Sequence, residues 1–385
     1  MQDCPVSKKC SGCQLQNMSY EKQLEFKQNL AENHLSRFGH VDPIIGMYYP
    51  YHYRNKVQSY FIQARGGKIV SGIYQSKTKG IAAVDSCLIE DKKSDEIIVT
   101  IRELMKKLKL TAYDRTNDAG FLRHVLVRRA FKTGQIMVVL AASTPLFPNK
   151  NVFLKELLKA HPEITTVIHN IADDKTETLV LGEREIVLYG NGYIEDVLCG
   201  CRFRISSKSF YQINPQQTEV LYKKVMQFAG LTGRETVVDA YCGIGTIGLV
   251  AAKNAKNVIS VELNKQAVKD AIQNAKLNNA KNVRFYNDDA TEFMKNMAAE
   301  KMKADVLFMD PPRAGSTKEF IEAAVELAPS RIVYVSCNPE TQEKDLMRFT
   351  RNGYKVEKIQ PVDMFPFTRH VETVVLMSKV GVEYA

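Results

Sequence analysis

The stretch that decides the fold is Thr236-Val-Val-Asp-Ala-Tyr-Cys-Gly-Ile-Gly-Thr-Ile-Gly248, in which an apolar strand runs into a glycine-rich turn. Glycines in such a turn permit tight backbone conformations and the close approach of a ligand. The next predicted strand, 257–262, ends in a carboxylate, and an acidic residue at that place accepts hydrogen bonds from ribose hydroxyls. The pattern therefore predicts a nucleoside-containing cofactor bound by Gly243, Gly245 and Glu262.

The charge of the first strand narrows the choice of cofactor. Taken alone, the glycine pattern suits nicotinamide and flavin cofactors equally well. Asp239 lies within the strand, however, and its carboxylate would repel a pyrophosphate placed on the turn. A cofactor with a sulfonium cation and no phosphate would not be repelled, so we expect S-adenosylmethionine. A glycine-rich turn without a ligand is the alternative.

The C-terminal half alternates strands and helices from about residue 206. Strands are predicted near 236–241, 257–262, 282–286, 304–309, 331–335, 354–360 and 373–379, with helices between them that include 245–256 and 265–277. This alternation predicts an α/β fold with a doubly wound, mostly parallel sheet, similar to a Rossmann fold. Glu262, Asp310 and Cys337 would then lie with the glycine turn at the carboxyl ends of strands, where such sheets bind ligands.

The N-terminal half follows a different pattern. Strands are predicted at 53–64, 68–74, 123–131 and 135–142, and helices at 20–36, 94–108 and 154–160. We therefore predict an α+β domain over residues 1–205 and a catalytic domain over residues 206–385.

Composition and charge limit the classes of protein that fit. Among 385 residues, Lys and Arg exceed Asp and Glu by 53 to 43, which gives a net charge of +10. In a protein with a cleft for a base, this surplus attracts phosphates. The N-terminus is polar, and no apolar run approaches the roughly 20 residues that span a bilayer. We expect a cytoplasmic monomer without membrane contact, in which cysteines serve as ligands, nucleophiles or core residues rather than disulfides.

The stretch Ser336-Cys-Asn-Pro339 follows the apolar run 331–335. Pro339 is typical of the first residue of a helix, and a helix N-terminus stabilises negative charge. The pattern predicts a reactive Cys337 whose thiol pKa is lowered by the helix. The alternative is a small apolar residue at a strand end, which is the usual role of a single cysteine there.

Four cysteines in the N-terminal half, Cys4, Cys10, Cys13 and Cys87, predict a tetrahedral sulfur site. Zinc and a 4Fe-4S cluster both accept four thiolates. Zinc sites more often use two CxxC pairs, so this spacing favours the 4Fe-4S cluster. A chance grouping of inert cysteines is the alternative. We interpret Cys199 and Cys201 as structural residues.

Several motifs in one order resemble the RNA uracil-carbon-5 methyltransferases, which make 5-methyluridine in transfer or ribosomal RNA. The motifs are Phe210-Tyr-Gln-Ile-Asn-Pro215, Asp239-Ala-Tyr-Cys-Gly-Ile-Gly245, Glu262, Asp310-Pro-Pro-Arg-Ala-Gly315, Ser336-Cys-Asn-Pro339 and His370-Val-Glu372. The N-terminal motif Cys4-Pro5 … Cys10-Ser-Gly-Cys13-Gln-Leu-Gln16 is similar to that of the iron–sulfur subgroup, which acts on 23S ribosomal RNA. Many family members carry an additional RNA-binding β-barrel before this motif, whereas the present sequence starts at the motif. We therefore expect the rest of the N-terminal domain to bind the RNA.

The resemblance implies roles for individual residues. Cys337 would be the nucleophile that adds to carbon 6 of a flipped-out uracil, and Glu372 the base that removes the carbon 5 proton. The residues implied to line the cofactor and base pocket are Gln212, Tyr241, Glu262 and Asp310. Asp310 would bind the polar edge of the base, whereas Arg313 would contact a phosphate or pair with a carboxylate.

Cations next to aromatic residues in the N-terminal half predict RNA contacts at Arg54, Lys56 and Arg123. The first choice of substrate is 23S ribosomal RNA, and transfer RNA is the alternative. Two other classes remain open. An amino-group methyltransferase also uses an Asp-Pro-Pro motif, but Arg313 and Cys337 argue against it. An RNA-binding iron–sulfur sensor without catalysis would not need Glu262 or Cys337.

Overall fold

The computed structural model describes residues 4–75, 80–172 and 180–381. Its helices are α1 (Tyr20–Leu35), α2 (Lys92–Lys107), α3 (Lys150–Ala160), α4 (Pro215–Ala229), α5 (Thr246–Ala251), α6 (Lys265–Leu277), α7 (Ala290–Ala299), α8 (Lys318–Leu327) and α9 (Pro339–Arg351). Its strands are β1 (Lys56–Gln63), β2 (Ile69–Tyr74), β3 (Ile81–Ala83), β4 (Leu122–Arg129), β5 (Ile136–Ala142), β6 (Ile164–Ile171), β7 (Arg184–Tyr189), β8 (Tyr193–Leu198), β9 (Cys201–Ser206), β10 (Thr236–Ala240), β11 (Asn257–Glu262), β12 (Val283–Asn287), β13 (Val306–Met309), β14 (Arg331–Ser336), β15 (Tyr354–Val362) and β16 (Glu372–Lys379). None of the helices in the described ranges is long and apolar enough to cross a bilayer.

The chain divides into two compact units. The first comprises residues 1–16, 50–196 and 204–208, and the second comprises residues 17–49, 197–203 and 209–385. In the first unit, one sheet has the strand order β3-β2-β1-β4-β5-β6-β7. Its neighbouring strands are antiparallel except for β5 and β6. Apolar residues of β1, β4 and β5 share a core with residues of α2 and α3. This unit confirms the predicted α+β pattern.

The second unit contains a sheet with the strand order β12-β11-β10-β13-β14-β16-β15. The strands from β12 to β14 run parallel, which confirms the predicted α/β alternation. Strand β16 is antiparallel to both of its neighbours, β14 and β15. The carboxyl ends of β10, β11, β13 and β14 therefore share one edge of the sheet with the first residue of β16.

The division between the units differs from the predicted boundary near residue 205 in two places. Residues 197–203 group with the second unit although 204–208 group with the first, and residues 17–49, which include α1, also group with the second unit. The buried side of α1 explains this, because it carries Lys27, whose ammonium lies 2.5 Å from the Asp363 carboxylate with both side chains fully buried. A buried cation needs an anionic partner, and here the partner follows β15.

Candidate active site

The direction of β16 brings the predicted nucleophile and base to adjacent positions. Cys337 directly follows β14, and Glu372 is the first residue of β16. The register pairs Ser336 with Thr373 across these antiparallel strands. Asp310 directly follows β13, the other neighbour of β14. Three strand ends thus place Cys337, Glu372 and Asp310 at one edge of the sheet.

Two carboxyl groups of this cluster have raised pKa values. Glu372 is almost fully buried, and this burial raises its pKa to about 8, with a further contribution from the nearby Asp310 carboxylate. The Asp310 residue as a whole is half-exposed to solvent. Its carboxyl group is nevertheless surrounded by protein, and this burial raises its pKa to about 7. Two carboxylates this close resist simultaneous ionisation, so the pair retains a proton near neutral pH. Such a pair is suited to proton transfer.

The thiol of Cys337 is less acidic than the sequence predicts. Burial raises its pKa, the Glu372 carboxylate raises it further, and the nearby Arg313 guanidinium lowers it. The prediction that the helix start would lower the pKa was wrong. The side chain of Asn338 caps α9 by accepting the Glu340 backbone N–H, so this donor is already used. Among the groups around the thiol, Arg313 is the one that favours the thiolate.

Arg313 occupies the loop between β13 and α8. Its guanidinium lies 3.0 Å from Nε2 of His370, and its positive charge lowers the pKa of the Cys337 thiol. Its backbone carbonyl accepts hydrogen bonds from the side chains of Asn338 and Thr341, each at 3.2 Å. Of the two expected roles, pairing with a carboxylate is not found among the ion pairs of the described residues, and a phosphate contact stays a prediction. The structure places this cation near Cys337, the predicted nucleophile.

The glycine turn after β10 holds the carboxylate of Glu262. The Gly243 N–H donates to Oε2 of Glu262 at 3.0 Å, and the Asn264 N–H donates to Oε1 at 2.8 Å. Gly245 has a φ of +82°, and a Cβ there would lie 3.0 Å from the Phe285 ring. Glycine is therefore required at Gly245, and the turn brings its backbone next to an oriented carboxylate. These features fit the binding of a nucleoside.

Asp239 lies below this turn rather than on its surface. Its side chain is 1% exposed, and its Oδ2 accepts the Gly248 N–H at 2.8 Å. A Cβ at Gly248 would lie 2.8 Å from the same oxygen, which explains the third glycine. Burial raises the pKa of Asp239 to about 8. The argument that its charge would repel a pyrophosphate therefore fails, because the group is buried and largely neutral at pH 7.

The remaining two residues predicted to line the cofactor and base pocket, Tyr241 and Gln212, lie in different loops. Tyr241, directly after β10, has a φ of +66°, and its ring lies 5.3 Å from that of Phe320. Burial raises the pKa of Tyr241 to about 12, and the Ser316 side chain opposes this rise. Tyr241 therefore lies near the loop that follows Asp310. Gln212 is buried in the segment before α4.

Sequence reasoning missed the polar residues of α9 that hold the active-site loops. Asp345 accepts hydrogen bonds from the Ser316 N–H and the Tyr334 hydroxyl, both at 2.8 Å. Gln342 accepts a hydrogen bond from Thr373, the residue after the predicted base. These polar side chains lie on the buried face of α9 together with Leu346 and Phe349. The sequence did carry a signal for this role, because Gln342 and Asp345 are polar residues within the apolar stripe of α9.

The four N-terminal cysteines lie together in the first unit. They line one cavity, together with Val6, Ser7, Gln16, Ile73, Val84 and Leu88. The Gly12 N–H donates to the sulfur of Cys10 at 3.4 Å. Burial raises the pKa values of Cys10, Cys13 and Cys87, and that of Cys13 reaches about 12. Among the described residues, no three His, Cys, Asp or Glu side chains form a ready-made metal site.

The three residues predicted to contact RNA in the first unit differ in exposure, because Arg123 is buried whereas Arg54 and Lys56 are partly exposed. Arg123 is buried, donates to the Ala172 carbonyl and stacks 4.7 Å from the ring of Tyr113. It is used inside the fold, which argues against the predicted RNA contact at this residue. Arg54 and Lys56 are half-buried. Burial and the neighbouring arginines, chiefly Arg128, lower the pKa of Lys56 to about 8.

Comparisons with known proteins identify the family and agree with this fold. Residues 19–380 match the family described as tRNA (uracil-5-)-methyltransferase. An uncharacterised RNA methyltransferase from Halalkalibacterium halodurans is 41% identical over 379 residues, which are 97% of this chain and 82% of that protein. Another from Clostridium acetobutylicum is 42% identical over 384 residues, covering 98% of this chain and 83% of that protein.

One solved structure is similar over nearly the whole chain. The tRNA (uracil-54, C5)-methyltransferase of Pyrococcus abyssi, in complex with S-adenosyl-L-homocysteine, has a TM-score of 0.80 and 26% identity, over 98% of this chain and 87% of that one. The fold and these relatives thus define an RNA methyltransferase. The chain belongs to the RNA uracil-carbon-5 methyltransferase family.

Proposed function

We propose that this protein uses S-adenosylmethionine to methylate carbon 5 of a uridine in RNA through a covalent adduct on Cys337. The observation that carries the proposal is the placement of Cys337, Glu372 and Asp310 at adjacent strand ends. The oriented Glu262 carboxylate beside the glycine turn supports the cofactor. The similarity to an enzyme crystallised with S-adenosyl-L-homocysteine supports the same choice.

Carbon 5 of uracil is a poor nucleophile, and the residues of the site overcome this by addition and elimination. The Cys337 sulfur forms a bond to carbon 6, and the electrons of the double bond shift toward the carbonyl at carbon 4. Carbon 5, now enolate-like, forms a bond to the methyl group as the methyl–sulfonium bond breaks. Glu372 then takes the carbon 5 proton, the double bond re-forms, and the Cys337 thiolate leaves.

Neighbouring groups support these steps. Arg313 stabilises the thiolate of Cys337 before addition and after elimination. Asp310 binds the polar edge of the base, and its half-exposed position after β13 makes it accessible to a flipped-out uracil. Asp310 and Glu372 share a proton near neutral pH, and Glu372 can accept the carbon 5 proton only when its carboxyl group is ionised. The turnover number should therefore rise with pH between about 7 and 9.

The first choice of substrate is 23S ribosomal RNA, because the cysteine motif resembles that of the iron–sulfur subgroup. Transfer RNA is the second candidate. The family description and the similar Pyrococcus abyssi enzyme both name a transfer RNA activity, which favours this alternative. The chemistry at the uracil is the same for both substrates.

Mass spectrometry of nucleosides tests the function directly. Separate samples of 23S ribosomal RNA fragments and transfer RNA are incubated with the protein and S-adenosylmethionine. We expect 5-methyluridine in the ribosomal sample. Its appearance only in transfer RNA would reverse the choice of substrate, a methyl group on a base nitrogen would indicate an amino-group enzyme, and binding without methylation would exclude catalysis.

The N-terminal cysteines are proposed to hold a 4Fe-4S cluster. Cys4, Cys10, Cys13 and Cys87 would bind it, and the Gly12 N–H at the Cys10 sulfur is the kind of donor that cluster sulfurs accept. With four cysteine ligands the cluster would have no open coordination position. It would therefore organise residues 4–16 rather than take part in methyl transfer.

Anaerobic purification tests this cluster. The protein should be brown, with broad absorption near roughly 400 nm from sulfur-to-iron charge transfer, and should contain about four irons per chain. Cys13→Ala should lose the iron, whereas Cys199→Ala, which removes another half-buried thiol, should keep it. About one zinc and no iron per chain would replace the cluster by a zinc site.

A further inference from the structure

The segment 363–371 connects β15 to β16 and leads directly to the proposed base, Glu372. Val362, the last residue of β15, pairs with Glu372 across the antiparallel strands. The next residue, Asp363, is fully buried. Its carboxylate accepts hydrogen bonds from the Lys27 ammonium at 2.5 Å and from the Tyr20 hydroxyl at 2.8 Å. Both donors belong to α1.

The same helix holds two further points of this segment. The Lys27 ammonium also donates to the Phe365 carbonyl at 2.9 Å, and the side chain of Gln23 accepts the Phe367 N–H at 2.8 Å. Phe367 has a φ of +67°. A bulky residue in this left-handed region is strained by about 1–3 kcal/mol and persists only where its surroundings enforce it. Gln23 supplies such a restraint.

The start of α4 holds the opposite side of the segment. The Asn214 side chain donates to the Met364 carbonyl at 2.9 Å, and the Gln217 side chain donates to the Asp363 carbonyl at 3.0 Å. The segment is therefore fixed by side chains from two helices that are distant in sequence. It is thus a defined conformation rather than a loose connection between strands.

Stability alone is a poor explanation for these polar contacts. Gln23 and Lys27 are 0% exposed and lie on the same helix stripe as Ala31 and Leu35. Lysine is almost never fully buried unless it is paired. Replacing a buried ion pair by apolar side chains is often neutral or stabilising, because the pair loses its hydration. The pair does, however, impose one geometry on the segment, and that geometry determines where β16 begins.

We infer that Gln23, Lys27 and Asp363 form a positioning clamp that sets Glu372 relative to Cys337. The inference rests on the proposed function, in which Glu372 removes the carbon 5 proton. Cys337 is carried by β14 and α9, which contribute none of the clamp residues. Loss of the clamp should therefore slow proton removal while leaving the addition of Cys337 and the transfer of the methyl group largely intact.

The test compares wild type with Gln23→Met and with the double variant Lys27→Met/Asp363→Asn. Gln23→Met removes the acceptor of the Phe367 N–H, and the double variant removes both charges without leaving one unpaired. In both variants, the steady-state fraction of protein covalently bound to methylated RNA should rise on denaturing gels. The turnover number should fall about tenfold, equivalent to about 1.4 kcal/mol. With RNA that carries 5-deuterated uridine, the isotope effect on turnover should be larger for both variants than for wild type.

Glu343→Gln is the matched control. Glu343 binds His34 at 2.9 Å and Arg37 at 3.1 Å, so it anchors the other end of the same helix to α9. This variant should not accumulate the adduct. Equal adduct levels in wild type, Gln23→Met and the double variant, or equal accumulation in Glu343→Gln, would overturn the clamp. If wild type itself forms no 5-methyluridine, the proposed function fails instead, so the two failures are distinguishable.

Discussion

Replacing Cys337 by alanine should reduce methyl transfer to below roughly 1 per cent of wild-type turnover, because it removes the sulfur proposed to add to carbon 6. Cys337→Ser should fail as well, since a hydroxyl beside the buried Glu372 is a far weaker nucleophile than a thiolate. Both variants should bind S-adenosylmethionine with unchanged affinity, because Gly243, Gly245 and Glu262 lie on other strand ends. Radiolabelled methyl transfer and calorimetric titration measure the two quantities.

Cys199→Ala is the matched control for the loss of a half-buried thiol. It should retain wild-type turnover. RNA with 5-fluorouridine at the target should trap wild type in a covalent adduct, since fluorine at carbon 5 cannot leave as a proton, and Cys337→Ala should form no such adduct. More than a few per cent of wild-type turnover in Cys337→Ala would exclude covalent catalysis by this residue.

Glu372→Gln should accumulate the covalent protein–RNA adduct while product formation falls by at least about a hundredfold, the lower range for loss of a proton-transfer group. The amide keeps the shape of the side chain but cannot accept the carbon 5 proton. The adduct should appear as a band that survives denaturing electrophoresis and contains a transferred methyl group. A fall in product without this band would assign the base to another residue.

The same substitution should change stability in a pH-dependent manner. Burial raises the pKa of Glu372 to about 8 in the folded protein, whereas the unfolded chain has a value near 4.3. The folded state therefore binds more protons between these values, and wild type loses stability as the pH rises through this range. Glu372→Gln should melt several degrees above wild type at pH 9. This difference should become small at pH 5, and thermal unfolding in both buffers measures it.

Much of the active site could be predicted from local sequence patterns. The strand before Gly243, the acidic end of β11 and the positions of Asp310 and Cys337 follow from apolar runs that stop at polar residues. In a parallel sheet the carboxyl ends of all strands lie at one edge, so the alternation of strands and helices is enough to predict that these residues lie close together. The position of Glu372 follows from the same apolar pattern only if β16 is antiparallel, and the sequence does not specify strand direction.

Electrostatic properties could not be predicted from spacing. The helix start after Cys337 suggested an acidic thiol, but burial and the Glu372 carboxylate raise its pKa, and the first turn of the helix is capped by Asn338. Asp239 was expected to influence the cofactor by its charge, although it lies below the turn. The clamp residues were missed because Lys27 and Asp363 are far apart in sequence, and their contact depends on how α1 packs.

The reversed direction of β16 has a consequence for how this site can evolve. Because Ser336 and Thr373 pair across the sheet, the spacing of the proposed nucleophile and base depends on backbone hydrogen bonds rather than on the residues between them in sequence. The turn at Asn352 and Gly353 between α9 and β15 is solvent-exposed. Insertions there can alter the outer surface of the enzyme while the reacting groups keep their separation. New substrate contacts can thus be acquired without rebuilding the chemistry.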